Sequence, residues 1–220
     1  MNIAAYIDHT ILKPEITIAD ISKLCEEAIG AEFAAVCVPP YYVTNATAFC
    51  AGTEVKVTTV IGFPFGYQSI AAKIAEIEKA IADGADELDM VINIAALKNS
   101  DWDYLTQEIT DCMVPVKQAG KIIKVIVESG ILTMEELVKC CSLYGNYSID
   151  FMKTSTGYAA VGATVEAVKT MRRLLPDTIE IKASGGIRSY AFAQELIDAG
   201  ATRLGCSAGL QILNEAKAAE

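Results

Sequence analysis

Short apolar segments alternate with amphipathic helical segments along almost the whole sequence, and this alternation restricts the fold more than any other feature. The apolar segments run through Tyr6–Leu12, Phe33–Val38, Val55–Ile61, Glu87–Asn93, Lys121–Glu128, Ile149–Lys153, Ile179–Lys182 and Arg203–Ser207. Between them, Thr17–Ile29, Tyr41–Ala51, Ser69–Asp83, Asp101–Ala119, Thr133–Tyr144, Ala163–Leu175 and Ser189–Ala199 read as helices, the fourth interrupted by Pro115, and a last helix follows Ser207. Ile70, Ile74, Ile77 and Ile81 make one stripe at helical spacing, and Gly30, Gly84, Gly120 and Gly200 stand where helices stop. Thr17 with Asp20, and Thr133 with Glu136, sit where an N-cap and its third-position acid belong.

A continuous apolar strand between helices belongs in a parallel sheet buried on both faces. Eight such units in 220 residues fit a closed (β/α)8 TIM barrel. No Gly-x-Gly-x-x-Gly turn follows the first strand to favour an open dinucleotide-binding sheet. The expected fold is an α/β barrel forming one domain over residues 1–220.

Within that frame, two lysines are out of place. Lys153 ends an apolar strand and is followed at once by Thr154-Ser155-Thr156-Gly157. Lys182 is set in the same way, before Ala183-Ser184-Gly185-Gly186. An ammonium buried without a partner is costly, and its pKa falls. A free lysine, at a pKa of ~10.4, is protonated at neutral pH and cannot attack a carbonyl. A second ammonium and apolar walls bring it toward the ~7–8 that suits a nucleophilic amine. One such lysine reads as a rim salt bridge as readily as a catalyst. Two on adjacent strands, each before a glycine-containing polar turn, point to Schiff-base chemistry.

Asp89, late in its own strand, is the carboxylate placed to keep Lys182 charged and to move protons. Strand alternation puts Asp89, Lys153 and Lys182 on inward faces near the C-terminal ends, where barrels keep their active sites. The same alternation sends Glu180 into the lower barrel, which demands a cation partner there or a register shifted by one.

Ser184-Gly185-Gly186-Ile187-Arg188 and Gly205-Cys206-Ser207-Ala208-Gly209 follow the last two strands, where barrels commonly cradle a phosphate with backbone N–H groups. Local donors matter, because the chain carries 28 acidic against 18 basic residues and a net charge of −10. That balance, without a basic cluster, argues against nucleic acid and anionic membranes as partners. His9 is the only histidine, so metal chemistry is not expected; it reads as structural. The seven cysteines, odd in number and lacking Cys-x-x-Cys spacing, read as reduced core thiols, Cys37 among them. Tyr41, Tyr42, Phe63 and Phe65 read as rim packing. Neither a signal-peptide pattern nor an apolar run of ~20 residues is present, so the expectation is a soluble, cytoplasmic protein.

Five motifs together resemble the deoxyribose-phosphate aldolase family: Asp8-His9-Thr10-Ile11-Leu12, Val60-Ile61-Gly62-Phe63-Pro64, Glu87 to Asn93, Phe151 to Gly157, and Lys182 to Arg188. They run in order along nearly the whole chain, and the two lysine motifs are the most specific. The resemblance implies a class I aldolase that reversibly cleaves 2-deoxy-D-ribose 5-phosphate to acetaldehyde and glyceraldehyde 3-phosphate in deoxyribonucleotide catabolism. It implies no cofactor, phosphosugar and aldehyde substrates as the partners, and a homo-oligomer, dimer or tetramer. It assigns the Schiff base to Lys153, lowering of its pKa to Lys182 and proton transfer to Asp89. Asp8, Thr10, Cys37 and Thr156 would line the substrate pocket. Gly157, Gly185, Gly186, Gly205 and Ser207 would hold the phosphate.

Three departures bear on these expectations. Tyr158 stands where some members carry a basic residue, implying a weaker hold on phosphate. Ser207-Ala208 replaces paired serines. The sequence ends at Glu220 without the tyrosine-tipped tail that some members fold over the site. Two other readings stay open on the residues alone: a phosphosugar isomerase using a carboxylate base, and a non-catalytic barrel that senses a phosphometabolite. Neither needs a neutral amine.

Overall fold

A computed structural model describes residues 2–219. Eight parallel strands close on themselves in chain order: β1 (Ile7–Thr10), β2 (Ala35–Val38), β3 (Lys56–Ile61), β4 (Glu87–Val91), β5 (Ile122–Ile126), β6 (Phe151–Lys153), β7 (Glu180–Ser184) and β8 (Arg203–Cys206). The helices around them are α1 (Ile18–Gly30), α2 (Val43–Phe49), α3 (Ile70–Ala82), α4 (Ile94–Lys98), α5 (Trp102–Gln118), α6 (Met134–Tyr144), α7 (Val165–Leu174), α8 (Tyr190–Asp198) and α9 (Gly209–Ala218). Strand β1 closes the ring by pairing with β8, Asp8 opposite Gly205, while its other edge sets Asp8 opposite Ala35. The fold is the (β/α)8 barrel that the alternation predicts.

The strands divide their side chains strictly. Val36, Val38, Val57, Ile61, Leu88, Met90, Ile123, Val125, Met152, Ile181 and Leu204 face outward into the shell between barrel and helices, where they are buried with the helical apolar stripes. Burying each such side chain fully contributes about 1.5–3 kcal/mol. The helices start where short-range chemistry dictates. Thr17 and Asp20 form a capping box on α1, as do Thr133 and Glu136 on α6, and the Ser69 hydroxyl accepts from Ala72 N–H at 3.3 Å. Pro115 lies inside α5, whose last turn continues past it to Gln118.

Sequence periodicity misses three short elements. One is a 3-10 turn, Ile3–Tyr6, which precedes β1 and shortens the first strand to four residues. A second is α4, five residues long and started by Asn93, whose side chain accepts from Ala96 N–H at 3.0 Å. The third is a 3-10 turn at Ser129–Ile131. Elements this short show no full helical period.

Behind β4 lies a buried ion pair. Lys73 Nζ donates to Glu108 Oε1 at 2.6 Å and to the Val91 carbonyl at 2.7 Å, and Glu108 accepts from Asn93 N–H at 3.0 Å. Burial pushes Lys73 down and Glu108 up, each partly offset by the other. The pair fixes the chain where β4 leaves the barrel. Gly66 presses on the same exit: its φ is +68°, and a Cβ there would lie 1.7 Å from the Ile92 carbonyl oxygen. No helix among the described residues is long and apolar enough to cross a membrane.

Candidate active site

The inward-facing side chains of six strands meet in one buried ionic cluster. Lys153 Nζ and Lys182 Nζ each lie 2.7 Å from the same oxygen, Oδ2 of Asp89. Asp89 Oδ1 takes Lys124 Nζ at 2.9 Å. Lys182 is also bonded to Asp8, and Lys124 to Glu87. Arg203 Nη1 reaches Asp8 at 2.7 Å and Glu87 at 3.3 Å. The Phe151 ring underlies the cluster, 5.4 Å from the Arg203 guanidinium and 5.9 Å from Lys124 Nζ.

The charges can be balanced residue by residue. Asp8, Glu87 and Asp89 bring three negative charges, and Lys124, Lys182 and Arg203 bring three positive ones. Among the groups joined by ion pairs Lys153 is the surplus; the nearby buried Glu128 has its pKa raised by burial, which favours its neutral form. A buried cluster carrying net charge is costly, and the inexpensive remedy is for one group to give up its charge.

The local fields act on Lys153 in that direction. Burial lowers its pKa; Asp89 pulls it back up, and Lys182 pushes it down again, leaving it below the ordinary lysine value. Burial would lower Lys182 too, but Asp8 and then Asp89 overcome it and hold that ammonium firmly protonated. For Asp89, burial opposes ionisation, yet Lys124, Lys153 and Lys182 keep it well below the carboxylate range. For Asp8, burial is likewise outweighed, by Lys182, Lys124 and Arg203, and the pKa falls to about 2.

This last shift has a consequence for stability. A carboxyl whose pKa drops on folding, here from 3.8 to about 2, stabilises the fold above the unfolded value and loses that contribution as pH falls through the folded one. About 2–3 kcal/mol is therefore expected to disappear between roughly pH 4 and pH 2. Denaturant unfolding at a series of pH values measures this. Asp8→Asn, which leaves Arg203 and Lys182 short of a partner, should be less stable at neutral pH and show a flatter acid decline. An equally steep decline in the variant would remove Asp8 as its cause.

Above the cluster opens a cavity of about 510 Å³, walled by Thr10 to Pro14, Lys153, Thr156 to Tyr158, Ser184 to Arg188 and Gly205 to Ser207. Lys153, only 3% exposed, is the one member of the cluster that reaches it. Thr10, Thr156, Gly157, Gly185, Gly186, Gly205 and Ser207 all line it, as their expected binding roles require. Asp8 and Cys37 do not. Both are fully buried inside the barrel beneath that wall, within the field of the site lysines. Asp8 lies two residues before Thr10 on the same strand face, about 6–7 Å lower in the barrel, and serves Lys182 instead. Burial raises the pKa of the Cys37 thiol.

The structure also resolves Glu180. The register is unshifted, since Lys182 meets its partners, and Glu180 begins β7 at the lower rim, half-exposed and with no ion-pair partner among the described residues. Gly205 has a further reason to lack a side chain: a Cβ would lie 3.1 Å from Lys182 Cε and 3.0 Å from Ser184 Cβ. His9 faces outward, its Nε2 2.8 Å from Glu27 Oε2.

Lys124, Glu87, Arg203 and Glu128 are site residues that the sequence reading missed. Lys124 carried a usable signal, a lysine inside Ile122-Ile123-Lys124-Val125-Ile126 with the inward parity of Lys153. The apolar strand runs on past it, and the glycine turn at Ser129-Gly130 comes later than those after Lys153 and Lys182, so the signal is weaker. Glu128 has a left-handed backbone, φ 55°, and its carboxylate accepts the Thr156 hydroxyl and the Thr156 N–H. Nothing local in the sequence marks it.

A family model described as "DeoC/LacD family aldolase" matches residues 2–215. A protein of Thermococcus gammatolerans described as deoxyribose-phosphate aldolase is 49% identical, over 100% of this chain and 99% of its own length. One of Macrococcus caseolyticus with the same description is 50% identical, over 97% and 96%. Among solved structures, the tetrameric deoxyribose phosphate aldolase of Aeropyrum pernix superposes with a TM-score of 0.91 at 29% identity, covering 99% of this chain and 92% of that one.

Proposed function

The chain belongs to the DeoC/LacD family of aldolases, and from that premise we propose that it cleaves 2-deoxy-D-ribose 5-phosphate reversibly, using Lys153 as the Schiff-base nucleophile. The observation that carries the residue assignment is the charge balance: six ion-paired charges cancel, and Lys153, the seventh, alone of the cluster opens into the cavity.

The chemistry follows from that placement. Neutral Lys153 adds to the aldehyde carbon C1 of the open-chain sugar, and the carbinolamine loses water to give an iminium ion. Removal of the C3 hydroxyl proton breaks the C2–C3 bond. Its electron pair flows toward the iminium nitrogen, releasing glyceraldehyde 3-phosphate and leaving the enamine of acetaldehyde. Protonation of that enamine at carbon and hydrolysis of the resulting iminium free acetaldehyde and Lys153. Asp89 accepts from both lysines at one oxygen, so a proton leaving Lys153 has a carboxylate and a standing ammonium beside it. We assign Lys182 the role of fixed cation, and Asp89 that of positioning both amines and handling the proton.

Gly157, Gly185, Gly186, Gly205 and Ser207 lie together on the cavity wall, and we assign the phosphate to them. Isolated glycine turns carry no such meaning; several converging on one cavity do. We also read the protein as a homo-oligomer, in keeping with its tetrameric relative.

Acetaldehyde with borohydride tests the nucleophile. The protein should gain one two-carbon adduct, mapped to the peptide containing Lys153. An unmodified mass in folded, active protein would exclude a Schiff base, and an adduct on Lys182 would exchange the two roles.

A further inference from the structure

Tyr158 occupies the position after the Thr-Gly turn where a cation was wanted, and its surroundings show what it does instead. Its hydroxyl donates to the Leu12 carbonyl at 2.9 Å, 146 residues away in sequence. Its ring meets Phe63 edge-on at 5.4 Å. Its own N–H donates to Thr156 Oγ1 at 3.1 Å, and the Thr156 hydroxyl is bonded in turn to the buried Glu128. The loop after β6 is thus anchored below by Glu128 and reaches across the cavity to the loop after β1.

That second loop carries Lys13, next to the carbonyl that Tyr158 holds and before the rigid Pro14. Lys13 lines the cavity with the glycines of the loops after β7 and β8, and it forms no salt bridge among the described residues. Because β1 closes the barrel against β8, the Lys13 loop and the Ser207 loop leave neighbouring strands. Arg188 is the other cation on the wall. In a chain of net charge −10, an unpaired lysine facing a cavity lined by backbone donors is a specific arrangement for an anion.

We propose that Lys13 supplies the counter-charge to the phosphate of the substrate, and that Tyr158 is the positioning residue that pins its loop over the cavity. The inference rests on the phosphosugar reading above and adds a residue to it. It also replaces the expectation that Tyr158 simply weakens phosphate binding: the cation enters from β1 rather than from β6.

The test compares 2-deoxyribose 5-phosphate with unphosphorylated 2-deoxyribose, using kcat/KM for each. The expected result for Lys13→Met is a fall of about 10- to 100-fold in the preference for the phosphorylated sugar, carried by KM. Tyr158→Phe should lower the preference about threefold to tenfold, through loss of one positioning hydrogen bond. Inorganic phosphate should inhibit both variants more weakly than the parent. Adding Tyr158→Lys to Lys13→Met should restore much of the preference by placing the cation on the other loop. A merely structural role for either residue would depress both sugars alike, leave their ratio and the phosphate inhibition unmoved, and overturn the proposal. A parent enzyme with no preference between the two sugars would instead overturn the phosphosugar reading itself.

Discussion

Replacing Lys153 with methionine is expected to abolish turnover while leaving the barrel folded. Without the amine no iminium forms, and the loss of kcat should reach about four orders of magnitude or more, as for other covalent nucleophiles. Borohydride trapping should then add nothing to the protein. The structural expectation runs opposite to that for most buried charges. Removing one partner of a buried pair usually costs about 3–5 kcal/mol, because the remaining charge is stranded. Here Asp89 keeps Lys124 and Lys182, and six charges remain in balance. The melting temperature should stay level or rise. Retained activity, or an adduct on Lys124 or Lys182, would sink the assignment; a large drop in stability would show that Lys153 is held as an ammonium and is no surplus.

Lys182→Met should fail differently. Its removal leaves three carboxylates facing Lys124 and Arg203, so the balance now calls for Lys153 to hold its proton. The field of Lys182, which lowers the Lys153 pKa, is lost as well, while Asp89 continues to raise it. Both effects lift the pKa of Lys153. A nucleophilic amine with a raised pKa is neutral only at higher pH, so the acid limb of the kcat/KM profile moves upward. At neutral pH a loss of about 10²- to 10⁴-fold is expected, the range for a group that sets protonation at a reacting centre. Raising the pH should recover part of it, and trapping at Lys153 should recover in parallel. An acid limb that stays in place, or moves down, would mean that Lys182 does not control Lys153.

The same pair of residues shows how the sequence was readable. Lys153 and Lys182 stood out because a lysine in an apolar strand before a glycine turn is rare. Strand parity alone brought them and Asp89 to one end of a barrel, and all three now share a single carboxylate oxygen. Lys124 obeys the same parity, but it sits mid-strand, further from its glycine turn at Ser129-Gly130, and the sequence reading missed it. Asp8 was assigned to the pocket by resemblance alone, and its ion pair with Lys182 is visible only in the tertiary structure. Lys73 and Glu108 look like solvated charges on two amphipathic helices; only the packing of α3 against α5 makes them a buried pair.

The sequence by itself determined the barrel, because the alternation of strand and helix is a local property, written in periods of two and 3.6 residues. It likewise singled out Lys153, the proposed nucleophile, whose oddity is local. Which charges cancel was left to the tertiary structure, since Asp8 and Arg203 meet only when β1 closes against β8. So was the span from Tyr158 to Leu12. Pairings between residues that distant depend on ring closure and strand register, and no local pattern carries them.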